Sequence, residues 1–165
     1  MHEMELIGVR VELPSNAPIV LLREASGEAR LLPIFIGAPE ATAIALALDG
    51  VTTPRPMTHD LLRDVLEELA ADVERIVVTE LRDKTFFAEL HLIRDDKRIV
   101  VSSRPSDAIA LAVRTGTPIF AAEDVIDEAG YRESEDDSDA NQSEEMVEQF
   151  KEFIDSISPE DFDTD

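Results

Sequence analysis

The chain has 165 residues, of which 44% are apolar, and a formal net charge of −22 at pH 7. This length and apolar content suit one folded domain with an appendage. The acidic composition counts against a tightly held nucleic acid, because affinity for a phosphate backbone comes largely from Lys and Arg side chains that displace counterions. The sequence contains no cysteine, which excludes disulfides, thiolate nucleophiles and cysteine-based zinc sites.

The negative charge is concentrated at the C-terminal end. Residues 128–165 carry 15 acidic side chains against Arg132 and Lys151, a net charge of −13, which leaves −9 for residues 1–127. The chain has no apolar run of about 18 residues, and its first ten residues are charged and alternating, unlike a leader peptide. We therefore expect a soluble, cytoplasmic protein that does not contact membranes.

Alternating apolar and polar side chains predict strands in the first third of the chain. Residues 5–13 (ELIGVRVEL) have the period of two that is typical of a half-buried strand. Residues 18–24 and 29–37 are apolar runs on either side of the turn-forming segment ASGE, so they predict a hairpin. Pro33 lies in the second run and indicates an edge strand or a bulge.

Further strands are predicted after residue 74. Residues 75–103 divide into three β-branched and aromatic runs, with turns at Asp83-Lys84 and Asp95-Asp96, and predict three antiparallel strands. Residues 118–121 (PIFA) predict a last short strand.

Three helices are predicted between these strands. The first runs from Pro39 to about Asp49 and is followed by Gly50, a residue suited to the left-handed conformation at a helix end. The second, amphipathic, begins after Thr58, the predicted N-cap. The third begins at Pro105. The elements together predict an α+β fold in which a mixed, largely antiparallel sheet carries three helices and an acidic C-terminal tail follows.

The pattern divides the chain into three parts. Residues 1–130 form the α+β domain, residues 131–142 are expected to be a disordered acidic linker, and residues 143–165 are expected to form an amphipathic helix and an acidic tail. Apolar residues recur at helical spacing in the last part: Met146, Val147, Phe150, Phe153, Ile154 and Ile157. We expect this helix to dock on its own domain or on another protein.

The second and third helices begin with the same residue types. In each, an arginine precedes a proline, a hydroxyl side chain follows, and an aspartate lies in the first turn: Arg55, Thr58 and Asp60, then Arg104, Ser106 and Asp107. A structural interpretation is that Thr58 and Ser106 cap the helices and the arginines pair with the aspartates. It predicts an ion pair between Arg55 or Arg104 and Asp60 or Asp107 that joins the two helices at their starts.

A chemical interpretation adds Glu40, in the first turn of the first helix, and His59. Hard divalent cations prefer carboxylates, and an imidazole titrates near neutral pH. The set would then serve a metal-assisted phosphodiester hydrolase. Glu40, Asp60 and Asp107 are predicted to be ligands of Mg²⁺ or Mn²⁺. The same three carboxylates, with His59 as the base, form the predicted catalytic set. Arg55 and Arg104 are predicted to bind the substrate phosphate.

Three segments, in this order and separated by the paired strands, resemble the bifunctional nuclease (BFN) domain family: LPIFIGAPEATAIALALDG, RPMTHDLL and RPSDAIALAVRTGTPIF. The resemblance covers roughly residues 4–125. It implies an α+β fold and the RNase and DNase activity credited to family members, chiefly plant forms. It also highlights the residues at the helix starts: Glu40, Arg55, Thr58, His59, Asp60, Arg104, Ser106 and Asp107. Plant forms carry a UvrB/UvrC-like interaction segment after the domain, and this chain has the acidic linker and short helix in its place.

Three functions remain open on the sequence. The first is a nuclease that binds RNA or DNA weakly. The second is a non-catalytic oligomeric binding or regulatory module whose Arg–Asp clusters are structural. The third is a small-ligand domain whose helix N-termini hold a phosphate or a carboxylate.

The first and third helices are apolar on all sides. A helix of this kind is expected to be buried on every side, and a small domain has little material to cover it. We therefore expect a homo-oligomer, with a dimer favoured and the first or third helix at or near its interface. The competing explanation is that strands from both ends of the sheet wrap these helices completely.

Overall fold

The computed structural model describes residues 1–132, so the predicted C-terminal helix and nearly all of the predicted linker lie outside the described residues. Within them, the strands are β1 (His2–Glu12), β2 (Ala17–Glu24), β3 (Leu31–Phe35), β4 (Asp72–Arg82), β5 (Thr85–Arg94), β6 (Lys97–Ser103) and β7 (Ile119–Ala121). The helices are α1 (Ala38–Leu48), α2 (Thr58–Glu68), α3 (Pro105–Thr115) and α4 (Glu123–Ala129). No helix of this part of the chain is long and apolar enough to span a membrane.

The strands form one seven-stranded sheet in the order β3-β2-β1-β7-β4-β5-β6. Short β7 pairs antiparallel with β1 and parallel with β4, so it joins the first three strands to the meander β4–β6. All other pairs are antiparallel. The predicted α+β fold with a mixed, largely antiparallel sheet is therefore confirmed.

The predicted turns of the meander β4–β6 are also confirmed. Asp83 and Lys84 connect β4 to β5 with φ values of 50° and 62°, and Asp95 and Asp96 connect β5 to β6 with φ values of 49° and 58°. Two-residue hairpins require this left-handed backbone, which aspartate tolerates better than most side chains. The turns consequently set the register of the strand residues next to them, and two irregularities in β4 shift the β4–β5 register further from the turn.

The helices differ from the prediction in number and in one cap. α4 was not predicted, because it is a seven-residue acidic segment in which only Val125 and Ile126 carry the apolar pattern, and both are buried. At α2, Met57 occupies the N-cap position and Thr58 is the first helical residue. The Asp60 carboxylate accepts a hydrogen bond from the Met57 amide at 3.0 Å, so the aspartate performs the capping expected of the threonine.

One core lies between the helices and one face of the sheet. α3 is buried along its apolar body, because β4 and β5 cover one side of it and α1 and α2 pack beside it. The cover of α3 within one chain therefore comes from two helices as well as two strands, not from strands at both ends of the sheet as the competing explanation states. The predicted homo-oligomer stays a prediction, but α3 offers little free surface for its interface.

Arg114, near the end of α3, ties the three helices together. Its Nε donates to Asp60 Oδ1 in α2 at 2.6 Å, and its Nη2 donates to the backbone carbonyl of Ala43 in α1 at 3.0 Å. Its Nη1 donates to the carbonyl of Ala110 in its own helix at 2.8 Å. Only 6% of the Arg114 side chain is exposed, so these bonds are sheltered from solvent.

Replacement of Arg114 by methionine should destabilise the domain by about 3 kcal/mol, the low end of the range for breaking a buried pair, because Asp60 keeps 24% of its side chain exposed. The matched control is Arg63→Met, which removes a more exposed pair with Asp64 and should cost about 1 kcal/mol or less. Urea unfolding followed by circular dichroism measures both. Equal losses would show that Arg114 does not hold the helices together.

Candidate functional site

The start of α3 carries a cluster of charged side chains from three helices. Arg104 Nε donates to Asp107 Oδ2 at 2.7 Å, and Arg104 Nη2 donates to Glu40 Oε1 of α1 at 2.9 Å. On the other side of Asp107, its Oδ1 lies 2.9 Å from Nε2 of His59 in α2. The four side chains form a continuous chain of contacts, which we call the α3 entrance.

The predicted ion pair of Arg55 or Arg104 with Asp60 or Asp107 is present as Arg104–Asp107. This pair lies at the start of a single helix, however, three residues apart. Two contacts join α2 to α3: His59 with Asp107 at the start of α3, and Asp60 with Arg114 at the end of α3.

The electrostatics of the α3 entrance favour charged Asp107. Burial raises the pKa of this carboxyl, but hydrogen bonds from Arg104 and His59 outweigh burial and hold the pKa below its usual value. The same contacts with Asp107 and Glu40 raise the pKa of Arg104. Because ionised Asp107 can only accept, the Nε2 of His59 donates the hydrogen of this contact.

Exposure differs sharply among these residues. Arg104 is 64% exposed, the Asp107 side chain is 30% exposed, and His59 is buried. A solvent-borne ligand therefore meets Arg104 and Asp107 first, with His59 behind them. Glu40 folds back against Gly37, where an added Cβ would collide with the carboxylate.

Asp60, predicted to act in catalysis and metal binding, has both oxygens in use at the start of α2. Oδ1 accepts from Arg114 and Oδ2 accepts from the Met57 amide. The hydrogen bond from Arg114 lowers the Asp60 pKa against the effect of burial, and the Met57 amide lowers it further. This environment suits a structural role. Arg114 was not singled out from the sequence, although an arginine in so apolar a helix was an available signal.

The remaining predicted residues lie outside the contact chain. Arg55 is exposed in the loop before α2, where its carbonyl accepts a hydrogen bond from the Thr53 hydroxyl at 2.6 Å, and its guanidinium makes no salt bridge with residues 1–132. Thr58 is exposed. Ser106 is buried as the second residue of α3, and Arg104 occupies the N-cap position there.

The predicted ligands for Mg²⁺ or Mn²⁺ are separated by their partners. Asp60 is bound by Arg114, whereas Glu40 and Asp107 share Arg104. Among residues 1–132, no group of three or more His, Asp and Glu side chains is placed to hold a metal ion. The carboxylates in this arrangement fit guanidinium groups, not a divalent cation.

A second charged network, absent from the sequence-based prediction, lies where β2 meets α4. Glu24 is buried and accepts hydrogen bonds from the Nε, Nη2 and backbone amide of Arg30, each at 2.9 Å. Arg30 also donates to Glu123 at 3.1 Å and to Asp127 at 2.7 Å. His2, at the start of β1, contacts Glu24 and Glu123 and so joins this strand to the network. Local sequence marks Glu24 only as the end of a strand.

Comparison with known proteins follows the same segments. A family model described as the bifunctional nuclease domain matches residues 20–134. The chain belongs to the bifunctional nuclease domain family. The matched region contains α1, α2 and α3, and therefore all four side chains of the α3 entrance.

Relatives of this bifunctional nuclease domain occur in bacteria and plants. An uncharacterized protein of Mycobacterium tuberculosis is 47% identical over 165 residues, and the match covers 98% of each chain. Bifunctional nuclease 2 of Arabidopsis thaliana is 34% identical over 112 residues, 65% of this chain and 34% of the relative. Bifunctional nuclease 1 of Oryza sativa subsp. japonica is 26% identical over 117 residues. The chain spans about a third of the length of these plant relatives.

Glu24 should make stability depend on acid pH. Hydrogen bonding from Arg30 outweighs burial and lowers the pKa of Glu24 from 4.5 to about 2. Its contribution is therefore fully present above pH 4.5, where the unfolded chain also releases the proton, and is lost as the pH falls through about 2. We expect a loss of about 3 kcal/mol over that range.

Unfolding free energies measured between these pH values, with Glu24→Gln as the test variant and Glu12→Gln on the exposed part of β1 as the control, isolate this contribution. Glu24→Gln should flatten the profile and Glu12→Gln should leave it unchanged. A Glu24→Gln profile as steep as that of the unmodified chain would contradict the assignment.

Proposed function

We propose that this bifunctional nuclease domain hydrolyses phosphodiester bonds in RNA or DNA and that the α3 entrance is its active site. The observation that carries the proposal is Arg104, a largely exposed cation held between two carboxylates, with an imidazole behind one of them. Family membership supports the reaction class, since plant relatives bear the name bifunctional nuclease.

Arg104 would bind the substrate phosphate. A guanidinium can offer two parallel N–H groups to phosphate oxygens, and its charge opposes the negative charge that grows on the phosphate during attack by water. Arg55, exposed and held by no salt bridge with residues 1–132, supplies a further positive charge ahead of α2. Arg104 is fixed in position by Asp107 and Glu40, and its exposure leaves it accessible to a substrate phosphate.

Asp107 would accept the proton of the attacking water, and His59 would hold Asp107 in position. Water forms the new P–O bond as the P–O bond to the leaving sugar oxygen breaks, the proton of the water passes to the Asp107 carboxylate, and the leaving oxygen takes a proton from solvent. Asp107 is the exposed member of the pair and faces Arg104, so it meets the water first. His59 positions the carboxylate through the hydrogen bond from its Nε2.

Mg²⁺ or Mn²⁺ remains a prediction, and no step above needs either ion. A divalent cation, when bound, would supply positive charge at the phosphate. Glu40 and Asp107 are the nearest carboxylates to such a position, and Arg104 now neutralises both. Comparing cleavage with added Mg²⁺, with added Mn²⁺ and with EDTA tests this prediction directly.

The second function is a non-catalytic binding or regulatory module. The specific observation in its favour is that each carboxylate predicted to be catalytic is paired with an arginine, as structural clusters are. In that case the charged side chains at the helix starts only hold helices together, and the purified protein cleaves neither RNA nor DNA.

Replacement of Arg104 by glutamine should lower cleavage of single-stranded RNA or DNA roughly a hundredfold, because it removes the cation at the phosphate. The matched control is Arg23→Gln, which removes the same charge from an exposed pair with Glu5 on the sheet and should leave cleavage unchanged. Stability should change by less than about 1 kcal/mol in both, since both arginines are exposed. Gel-based cleavage assays and thermal unfolding give the two readouts.

Asp107→Asn separates the two functions. Under the nuclease proposal it abolishes cleavage and leaves the melting temperature close to that of the unmodified chain. A large loss of stability without cleavage in any sample would favour the non-catalytic module. Equal cleavage by the unmodified chain, Arg104→Gln and Asp107→Asn would point to a contaminant and remove the nuclease proposal.

A further inference from the structure

The two edges of the sheet are protected to very different degrees. β3 forms one edge, has five residues, and contains Pro33, which has no N–H to offer. Tyr131 also covers the end of this edge: its amide donates to the Leu31 carbonyl at 2.9 Å, and the Leu31 amide donates back at 2.7 Å. Another strand has little free backbone to pair with on this side.

β6 forms the other edge and, among the described residues 1–132, carries none of these protections. It has seven residues and no proline, and Ile99, Val100 and Val101 at its centre are all exposed. Ile99 and Val101 lie opposite Leu92 and Leu90 of β5, so they share the face of the sheet that bears the core. Val100 points to the other face and is 53% exposed. The edge is therefore apolar on both faces, the feature that most favours strand addition.

We propose that β6 pairs with β6 of a second copy of this chain, antiparallel about a two-fold axis at Val100, so that the two sheets become continuous. Identical chains associate most often through a two-fold axis, and such an axis pairs one edge strand with itself. The proposal does not rest on the proposed nuclease function. It places the predicted dimer interface at β6, in place of α1 or α3.

The faces of the sheet limit the possible registers. In an antiparallel pair, residues directly opposite each other point to the same face. If the core faces of both sheets lie on the same side, each core-face residue of β6 must lie opposite a core-face residue of the partner. Facing alternates along a strand, so this holds only when the two-fold axis pairs one residue with its own copy, and not when the axis lies between two successive residues. Shifts between allowed registers move the axis by one residue along β6.

Charge chooses among these registers. An axis at Ile99 would place Lys97 opposite the partner's Val101 and Arg98 opposite the partner's Val100, and an axis at Val101 would place Arg98 opposite the partner's Arg104. Like charges directly opposite each other are unfavourable. The register at Ile99 therefore sets charged side chains against apolar ones, and the register at Val101 brings two arginines together.

An axis at Val100 avoids this repulsion and fits the strand best. It pairs Ile99 with the partner's Val101 on the core face and Val100 with the partner's Val100 on the other. β-Branched pairs of this kind stabilise strand contacts. Just beyond the strand ends, Asp96 lies opposite the partner's Arg104, a pair of opposite charges. The pairing of apolar with apolar residues and of opposite charges thus indicates a second copy as the occupant of this edge.

This register brings the interface to the candidate site. Arg104 would be approached by the partner's Asp96 while its own chain supplies Glu40 and Asp107. A dimer would therefore border both α3 entrances, one on each side of the two-fold axis. The remaining exposure of Arg104 is compatible with such a neighbour.

The absence of cysteine from the sequence provides a clean test. A single Val100→Cys substitution in the full chain would place two thiols on the two-fold axis, with Cβ atoms about 5 Å apart, so mild oxidation should give a disulfide-linked dimer. Phe35→Cys, at a similarly exposed position on the β3 edge, is the matched control and should remain unlinked. Linkage of both variants at equal rates would reflect random collision and would overturn the proposal.

Charge at the axis tests the register. Val100→Lys and Val100→Asp should each weaken the dimer roughly tenfold or more, since each places like charges opposite each other, and a mixture of the two should restore it as a heterodimer. Phe35→Lys should leave the dimer intact. Light scattering on the full chain measures the masses, and circular dichroism checks that each variant is folded.

Three outcomes would remove the proposal. One is that the unmodified chain is a monomer at high micromolar concentration. Slow amide exchange along β6 in such a monomer would mean that the chain's own residues 143–157 cover this edge. Another is a dimer that Val100→Lys leaves unchanged. The third is failure of the lysine and aspartate variants to associate with each other while both remain folded.

Discussion

The arrangement of the helices depends on one buried side chain, Arg114. Its guanidinium holds the Asp60 carboxylate of α2, a carbonyl of α1 and a carbonyl of its own helix, so three separate segments are fixed by one group. A buried cation needs such a set of acceptors, because leaving any of its N–H groups unpaired carries a desolvation penalty. With α2 held in this way, His59, next to Asp60 in the chain, is brought against Asp107.

Two helix starts with the same residue types consequently have different surroundings. Asp60 receives its arginine from the interior, and Asp107 receives Arg104 from the solvent side. A buried charge pair resists exchange of partners, whereas an exposed pair contributes little stability and is free to exchange with a ligand. Burial, and not residue type, therefore distinguishes the scaffold at α2 from the candidate site at α3.

Charge neutralisation by arginine recurs across this acidic chain. Glu24 is satisfied by Arg30, Asp60 by Arg114, and Glu40 and Asp107 share Arg104. Paired in this way, carboxylates can be retained inside a folded domain without the cost of an isolated buried charge. Of these arginines, Arg104 alone is mainly exposed, which is why the candidate chemistry and the edge of the proposed dimer both involve it.

Local sequence determined the strands, the aspartate turns, the start of α3 at Pro105 and its end at Gly116, whose φ is 66°. Those features depend on period, backbone preference and capping within a few residues. The tertiary structure alone decided that β7 lies in the middle of the sheet, that Arg114 is the partner of Asp60, and that Glu24 is buried. These depend on contacts between distant segments, 54 residues apart for Asp60 and Arg114, and no local pattern specifies which charged group will meet which.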